Sequence, residues 1–273
     1  MSPVTASHVE TWADFLPSTL GYRHPPVDLL AVARHRKIKQ LGFRLMVPRA
    51  VLVPVDKGFE AYLRDSVSRD VNIAEAEPSN LLTHQQRFSL AHEIAHTFFF
   101  KLSDAIPVPV KVNNSFELEK LCNRVASRIL VPAELLRQEI KREVGESERV
   151  DAAFVRSAAA KFRTSIEVLI GRLRVVEPSN CFERCVLLVR RIEGDAVICA
   201  SYFGAGLLTV LPSPVKFTRL TDWFADFPRC VIDGAGASEW KTSRMGRSVR
   251  FVKMDLSSGG DFLLQVETSS PSC

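Results

Sequence analysis

The most constraining feature of the sequence is a helical pattern that contains the motif His92-Glu93-Ile94-Ala95-His96. A hydroxyl at Thr83, followed three residues later by Gln86, has the capping-box form that begins a helix. Beyond this cap, apolar side chains recur at helical spacing, at Phe88, Ala91, Ile94, Ala95, Phe98 and Phe99. Ionisable side chains inside so apolar a helix need polar partners, so the fold must supply partners to the motif.

The two histidines of the motif are four residues apart and therefore lie on the same face of the predicted helix. Their ring nitrogens can bind one metal ion, and Glu93 can reach a water molecule on that ion without binding the metal itself. The chain has only six histidines, so this spacing rarely arises by chance. The motif predicts a zinc site with His92 and His96 as ligands and Glu93 as the catalytic base.

A catalytic zinc site takes three protein ligands and keeps a fourth position open, so the motif needs one further ligand. The next predicted helix begins after Asn114 and carries two acidic candidates. Glu119 is the better placed, whereas Glu117 has the position of an acid that stabilises the first helical turn. Asn123, one turn beyond Glu119, is a candidate to hydrogen-bond a ligating histidine and fix its ring. The spacing favours Glu119 without excluding Glu117.

Upstream of the motif, the sequence predicts a mixture of helices and strands. Residues 1–25 contain prolines and a glycine, which interrupt regular secondary structure, and they are expected to form a loosely structured extension. A helix is expected to begin at Pro26. Alternating apolar residues at 43–55 predict two short strands, with a short helix expected at 58–64 and a strand at 71–74.

Downstream of the motif, the pattern is first helical and then strand-like. Helices are predicted after Asn114 and over residues 133–144, and residues 151–176 predict two helices across a tight turn, as in a helix-turn-helix. Alternating runs then predict strands at 185–192, 195–202, 207–211, 248–256 and 261–266. We therefore place a domain boundary near residues 177–184 and assign the chain to the α+β class.

Composition and charge exclude some classes of function and leave others open. No apolar run reaches the roughly 18 residues that a membrane-spanning helix needs. The first 20 residues lack the basic and apolar parts of a secretory signal, so we expect a cytoplasmic protein. The scattered cysteines, none in a CxxC pair, fit that expectation. A net charge of +5 permits an acidic partner without requiring one.

Two segments of the chain resemble the ImmA/IrrE family of metallopeptidases. Residues 86–96 are similar to the family's helix of the form RFTLAHELGH, and residues 119–132 are similar to a second helix of the form ExxANxFAxxLLMP. The chain departs from these forms by small or apolar replacements, at Ala95, Cys122, Val125 and Val131. Such replacements affect packing more than chemistry.

The resemblance implies a gluzincin-like zinc site with His92, His96 and Glu119 as ligands and Glu93 as the catalytic residue. It implies a zincin-like peptidase domain, which we place at residues 26–132.

Further along the chain, we expect a helical, helix-turn-helix-like region at residues 133–177. An α+β domain is expected at residues 178–273, with a general likeness to the GAF-like sensor domain of longer family members. That domain is a candidate site for a small ligand. The residue that stabilises the oxyanion is not identified, with Tyr62 and His84 as candidates.

The resemblance also implies a regulatory endopeptidase that cleaves a helix-turn-helix (XRE-type) repressor and de-represses stress-response or mobile-element genes. The competing hypothesis is a DNA-binding regulator with a structural metal, in which the helix pair at 151–176 contacts DNA. Basic residues could neutralise phosphates there, at Lys161, Arg163, Arg172 and Arg174. The second helix of the pair, however, offers few polar side chains to base edges, which favours a packing role.

Overall fold

The computed structural model describes residues 6–73, 82–101, 105–110, 114–144, 150–176, 184–193, 195–203, 217–223, 238–244, 247–256 and 261–269. These residues form a mixed α+β structure, which confirms the predicted class. The chain divides into two compact units, the first made of Met1–Leu135 and Lys161–Ser165, the second of Leu136–Ala160 and Ile166–Cys273.

The first unit packs helices against a small sheet. Its helices are α1 (Ala6–Leu20), α2 (Leu29–His35), α3 (His84–His96) and α4 (Ser115–Leu130), and a 3-10 turn (Thr97–Phe99) follows α3. Its strands are β1 (Ile38–Arg44), β2 (Ala50–Val55), β3 (Gly58–Arg64), β4 (Arg69–Asn72), β5 (Phe100–Lys101) and β6 (Val108–Pro109). Helix α5 (Ala133–Val144) begins in this unit and continues into the second.

The sheet of the first unit has the strand order β2-β3-β1-β4. Strands β1 and β3 are parallel, while β2 pairs antiparallel with β3 and β4 pairs antiparallel with β1. Helix α3 packs against β2 and β3 of this sheet and also against α4. Strand β2 is therefore an edge strand of this sheet and lies beside the helix that carries the motif.

Residues 58–64 form strand β3, so the predicted short helix there is wrong. Phe59, Ala61 and Leu63 are fully buried, whereas the side chains between them are more exposed. This period of two places alternate side chains on opposite faces of a sheet. Pairing with a strand on each side fixes these residues as a central strand.

Residues 6–20 form helix α1, so the expectation of loose structure is wrong for this part of the N-terminal extension. Val9, Ala13 and Leu16 recur at helical spacing, and all three are buried. The expected helix at Pro26 begins instead at Leu29. Asp28 caps it, because its Oδ1 accepts hydrogen bonds from the backbone N–H groups of the first turn.

The caps predicted for the two motif-bearing helices are confirmed. Thr83 Oγ1 accepts the N–H of Gln86 at 3.2 Å, and Gln86 Oε1 accepts the N–H of Thr83 at 3.1 Å. Asn114 Oδ1 accepts the N–H groups of Phe116 and Glu117 at 3.1 and 3.3 Å. Local sequence therefore defines where both helices begin.

The second unit contains most of α6 (Ala152–Phe162), all of α7 (Ile166–Val176) and α8 (Leu220–Trp223). Its strands are β7 (Arg184–Ile192), β8 (Asp195–Phe203), β9 (Ser238–Arg244), β10 (Arg247–Asp255) and β11 (Phe262–Ser269). They form an antiparallel sheet of order β8-β7-β11-β10-β9. The sequence predicted β7, β8, β10 and β11 but missed β9, and the predicted strand at 207–211 lies outside the described residues.

Within the part of the chain described here, none of the helices has both the length and the apolar character needed to cross a membrane.

Arg87 is a buried cation that anchors α3 in the first unit. It is 3 % exposed, and its Nε donates to the carbonyl oxygen of Arg163 at 3.1 Å. Its Nη2 donates to the carbonyl oxygen of Val27 at 3.0 Å. Burial, with the nearby charge of Arg163, lowers the pKa of Arg87 to about 10, which leaves it protonated at neutral pH.

We expect Arg87→Met to lower the free energy of unfolding by about 2 kcal/mol, because two buried carbonyl oxygens lose their charged donor. Urea denaturation followed by circular dichroism measures this change. Arg34→Met is the matched control, since Arg34 is exposed and its ion pair with Asp28 is 3.9 Å long. Equal unfolding free energies for the two variants would contradict the anchoring role.

Candidate metal centre

Helices α3 and α4 pack side by side and bring the sequence-predicted ligands together. His92 and His96 lie one turn apart on α3, with ring centroids 4.7 Å apart. Glu119 faces them from α4, and the ligand atoms of the three residues all lie within 4.8 Å of one another. Residues separated by more than twenty positions in the sequence thus form one cluster.

The distances within this cluster fit a tetrahedral metal ion. The two Nε2 atoms of the histidines are 3.0 Å apart. Glu119 Oε2 lies 3.1 Å from Nε2 of His92, and Glu119 Oε1 lies 3.3 Å from Nε2 of His96. Zinc–ligand bonds of about 2.0–2.1 Å would place neighbouring ligand atoms about 3.3 Å apart. Lone pairs that converge in this way repel one another unless a cation lies among them, so the donor set fits a divalent metal.

Asn123 orients the first histidine. Its Oδ1 is 3.0 Å from Nδ1 of His92, so this ring nitrogen can donate its proton to the amide oxygen. Nε2 of His92 then keeps its lone pair directed at Glu119, as a metal ligand requires. Burial, with the neighbouring charge of His92, lowers the pKa of His96, which favours the neutral imidazole that binds metals.

Other donors near the cluster have different environments. Glu117, the alternative ligand from sequence, accepts a hydrogen bond from Lys120 at 2.9 Å and is absent from the described ligand cluster. Cys122 is fully buried, and burial raises the pKa of its thiol, which keeps the sulfur protonated. The acidic ligand that the structure brings to the histidines is Glu119.

Glu93 lies beside the cluster and is 7 % exposed. Burial, together with the charge of Glu119, raises the pKa of its carboxyl to about 7, although a hydrogen bond from the backbone N–H of Leu52 opposes the shift. Leu52 belongs to the edge strand β2, so the sheet holds the carboxyl of the motif. A divalent cation in the cluster would lower this pKa.

A cavity of about 420 Å³ opens onto the cluster. Residues of β2 and the position before it form one wall, at Arg49, Ala50 and Val51. The rest is formed by α4, at Glu119 and Asn123, and by α3, at Phe88, Ser89, His92, Glu93 and His96. Arg49 is the permanent cation among the described residues that line it. Sequence patterns gave no signal for Arg49 or Leu52, because only long-range packing places β2 beside α3.

The two residues predicted as oxyanion candidates do not line this cavity. The hydroxyl of Tyr62 donates to Glu60 Oε2 at 2.6 Å, an interaction that raises the pKa of Tyr62. His84 is the first residue of α3, about 12 Å along the helix from His92.

Residues 78–174 match the model of the peptidase M78 family, which is described as the IrrE N-terminal-like domain. The matched segment includes the motif on α3 and both Glu119 and Asn123 on α4. A search of curated proteins finds no match to this chain.

The geometry predicts that the protein binds a single zinc ion per chain and releases it to a chelator. We expect Glu119→Ala to weaken zinc affinity by more than about 100-fold, because loss of a direct ligand costs more than loss of a group that only orients one. Metal analysis after dialysis and titration against a zinc-binding dye measure both quantities. Glu117→Ala, on the same helix, is the matched control, and equal losses in the two variants would contradict the assignment of Glu119.

Proposed function

We propose, from the ImmA/IrrE-family metallopeptidase domain at residues 78–174, that the chain is a zinc-dependent endopeptidase. The observation that carries the proposal is the convergence of His92, His96 and Glu119, with the buried carboxyl of Glu93 beside them. A domain assignment of 26–132 for the zincin-like peptidase, 133–177 for the helical region and 178–273 for a GAF-like domain belongs to the same proposal.

The chemistry proposed for the site divides between the metal ligands and Glu93. The three ligands would hold zinc, which supplies Lewis-acid polarisation of the scissile carbonyl and acidifies water. Glu93 accepts a proton from the attacking water at its carboxylate and then delivers it to the leaving amine. The N–H of Leu52 keeps this carboxylate in place. Arg49 is a candidate to stabilise negative charge that develops on the substrate.

An extended polypeptide is the substrate that this cavity suits. One wall is formed by β2, an edge strand whose outer side can pair with an added strand at positions other than Leu52, because the N–H of Leu52 is bonded to Glu93. Val51 on this wall is 37 % exposed and offers an apolar contact to a side chain of the bound segment. Support for an endopeptidase thus comes from both the donor set and its surroundings.

The family resemblance extends the proposal to a biological substrate. We propose that the protein cleaves a helix-turn-helix transcriptional repressor in the cytoplasm and thereby de-represses stress-response or mobile-element genes. Co-expression with the repressor encoded nearest to it tests this step, with cleavage followed on gels and the cut site identified by mass spectrometry. An intact repressor beside an active peptidase would refute the substrate and leave the enzyme class standing.

The alternative function, a DNA-binding regulator with a structural metal, gains no support from α7. Leu169, Ile170 and Leu173 of this helix are buried, and it packs against β8 of its own unit. Arg172, one of the residues proposed to neutralise phosphates, is only 4 % exposed. These features indicate a packing helix.

We expect Glu93→Gln to retain zinc and to lower the rate of peptide cleavage by about three orders of magnitude, because the amide cannot accept the proton of water. Cleavage assays on wild type and variant at equal zinc content measure this effect. Glu117→Gln, an identical change on the exposed side of α4, is expected to cleave at the wild-type rate. A Glu93→Gln variant with wild-type activity would refute the role of Glu93.

A further inference from the structure

We propose that helix α1 positions the two metal-binding helices, with Glu10, Asp14 and Trp12 as its positioning residues. We call these three side chains the α1 clamp. The inference rests on the zinc site proposed above and extends it to a part of the chain outside the matched segment 78–174. The α1 clamp contacts α4 through its carboxylates and the 3-10 turn after α3 through its aromatic ring.

The contact with α4 is a network of ion pairs. Glu10 accepts hydrogen bonds from Arg124 Nε at 2.9 Å and from Arg128 Nη2 at 3.0 Å. Asp14 accepts a short hydrogen bond from Nη1 of the same Arg128. The side chains of Arg128 and Glu10 are only 20 % and 21 % exposed. Shared and partly buried ion pairs constrain geometry more than an isolated surface pair does.

This network lies next to the residues of α4 that form the metal site. Arg124 directly follows Asn123, whose side chain holds the ring of His92. Ser127 Oγ donates to the backbone carbonyl of Asn123 at 2.9 Å, a bond within α4 itself. Glu119 lies just over one turn before Arg124 on the same rigid helix. A rotation or shift of α4 would therefore move both Glu119 and Asn123.

The contact with α3 is made at the 3-10 turn that follows His96. The ring of Trp12 meets that of Phe98 edge to face, with centroids 4.6 Å apart. The guanidinium of Arg36 lies 3.7 Å from the centroid of Phe98 and 5.7 Å from that of Trp12. Arg36 Nε also donates to Thr97 Oγ1 at 2.9 Å, which fixes the residue after His96.

The two contacts are joined by the buried face of α1. Val9, Ala13 and Leu16 are at most 1 % exposed, so the helix packs as one rigid element. Because α1 contacts both α4 and the 3-10 turn that directly follows α3, it resists changes in the separation of α3 and α4. That separation sets the 3.3 Å distance between His96 and Glu119 and the 3.0 Å distance between His92 and Asn123. The α1 clamp should therefore tune metal affinity without touching the metal.

The test is the zinc affinity of Glu10→Gln/Asp14→Asn, which removes the charges and keeps the side-chain shapes. We expect the zinc dissociation constant to rise by about tenfold, the lower end of the effect of losing groups that orient metal ligands. Competition with a chelator of known affinity measures it in the full chain, at a temperature where circular dichroism shows both proteins folded. A merely structural role would lower the melting temperature and leave the affinity of the folded protein unchanged.

Asp70→Asn is the matched control. Asp70 pairs with Arg44 at 2.6 Å on β4, at the edge of the sheet opposite to β2. The substitution removes the charge of Asp70 and with it one ion pair far from the cavity wall, so zinc affinity should stay within about twofold of wild type. A loss of affinity equal to that of the double variant would overturn the specific role of the α1 clamp.

The single variant Glu10→Gln keeps the inference testable if the double variant does not fold. It retains the Asp14–Arg128 pair, and we expect a smaller rise in the dissociation constant, of about threefold. Wild-type affinity in a folded Glu10 variant would refute the α1 clamp alone. Failure of the wild-type protein to bind zinc would refute the proposed metal site, and the α1 clamp with it.

Discussion

The repulsion among three electron-pair donors is the constraint around which the first unit is organised. Two imidazole nitrogens lie 3.0 Å apart, and each lies within 3.3 Å of a different oxygen of the Glu119 carboxylate, an arrangement that costs free energy unless a cation compensates it. The packing of α3 on α4 must hold the donors together against this cost. Caps at Thr83 and Asn114, the buried Arg87 and the ion pairs of α1 all act on these two helices.

The sheet contributes to the site through its edge. Strand β2 provides a cavity wall, the Arg49 cation beside it and the N–H of Leu52 that hydrogen-bonds to Glu93. A carboxyl that is buried, held by one donor and close to another carboxylate has a pKa near neutrality, which suits a group that must both accept and release a proton. The chemistry proposed for Glu93 thus depends on the boundary between helix α3 and the edge of the sheet.

The parts of the site that the sequence predicted are those fixed by local patterns. His92 and His96 share a helix face by their spacing alone, and the capping signals at Thr83 and Asn114 depend on neighbours within three residues. Glu119 needed more than spacing, because Glu117 fitted nearly as well, and the family resemblance favoured it.

The two failures have different causes. Strand β3 was predicted as a helix because the hairpin turn that pairs it with β2 has no glycine or asparagine to mark it: Lys57 takes the positive φ there. Helix α1 was missed because its ion-pair partners on α4 lie more than a hundred residues away. X-ray absorption at the zinc edge, combined with anomalous diffraction, tests the proposed zinc site. We expect zinc bound only by nitrogen and oxygen, at about 2.0–2.2 Å, among His92, His96 and Glu119. Sulfur ligands at about 2.3 Å, or zinc at another place in the chain, would contradict it.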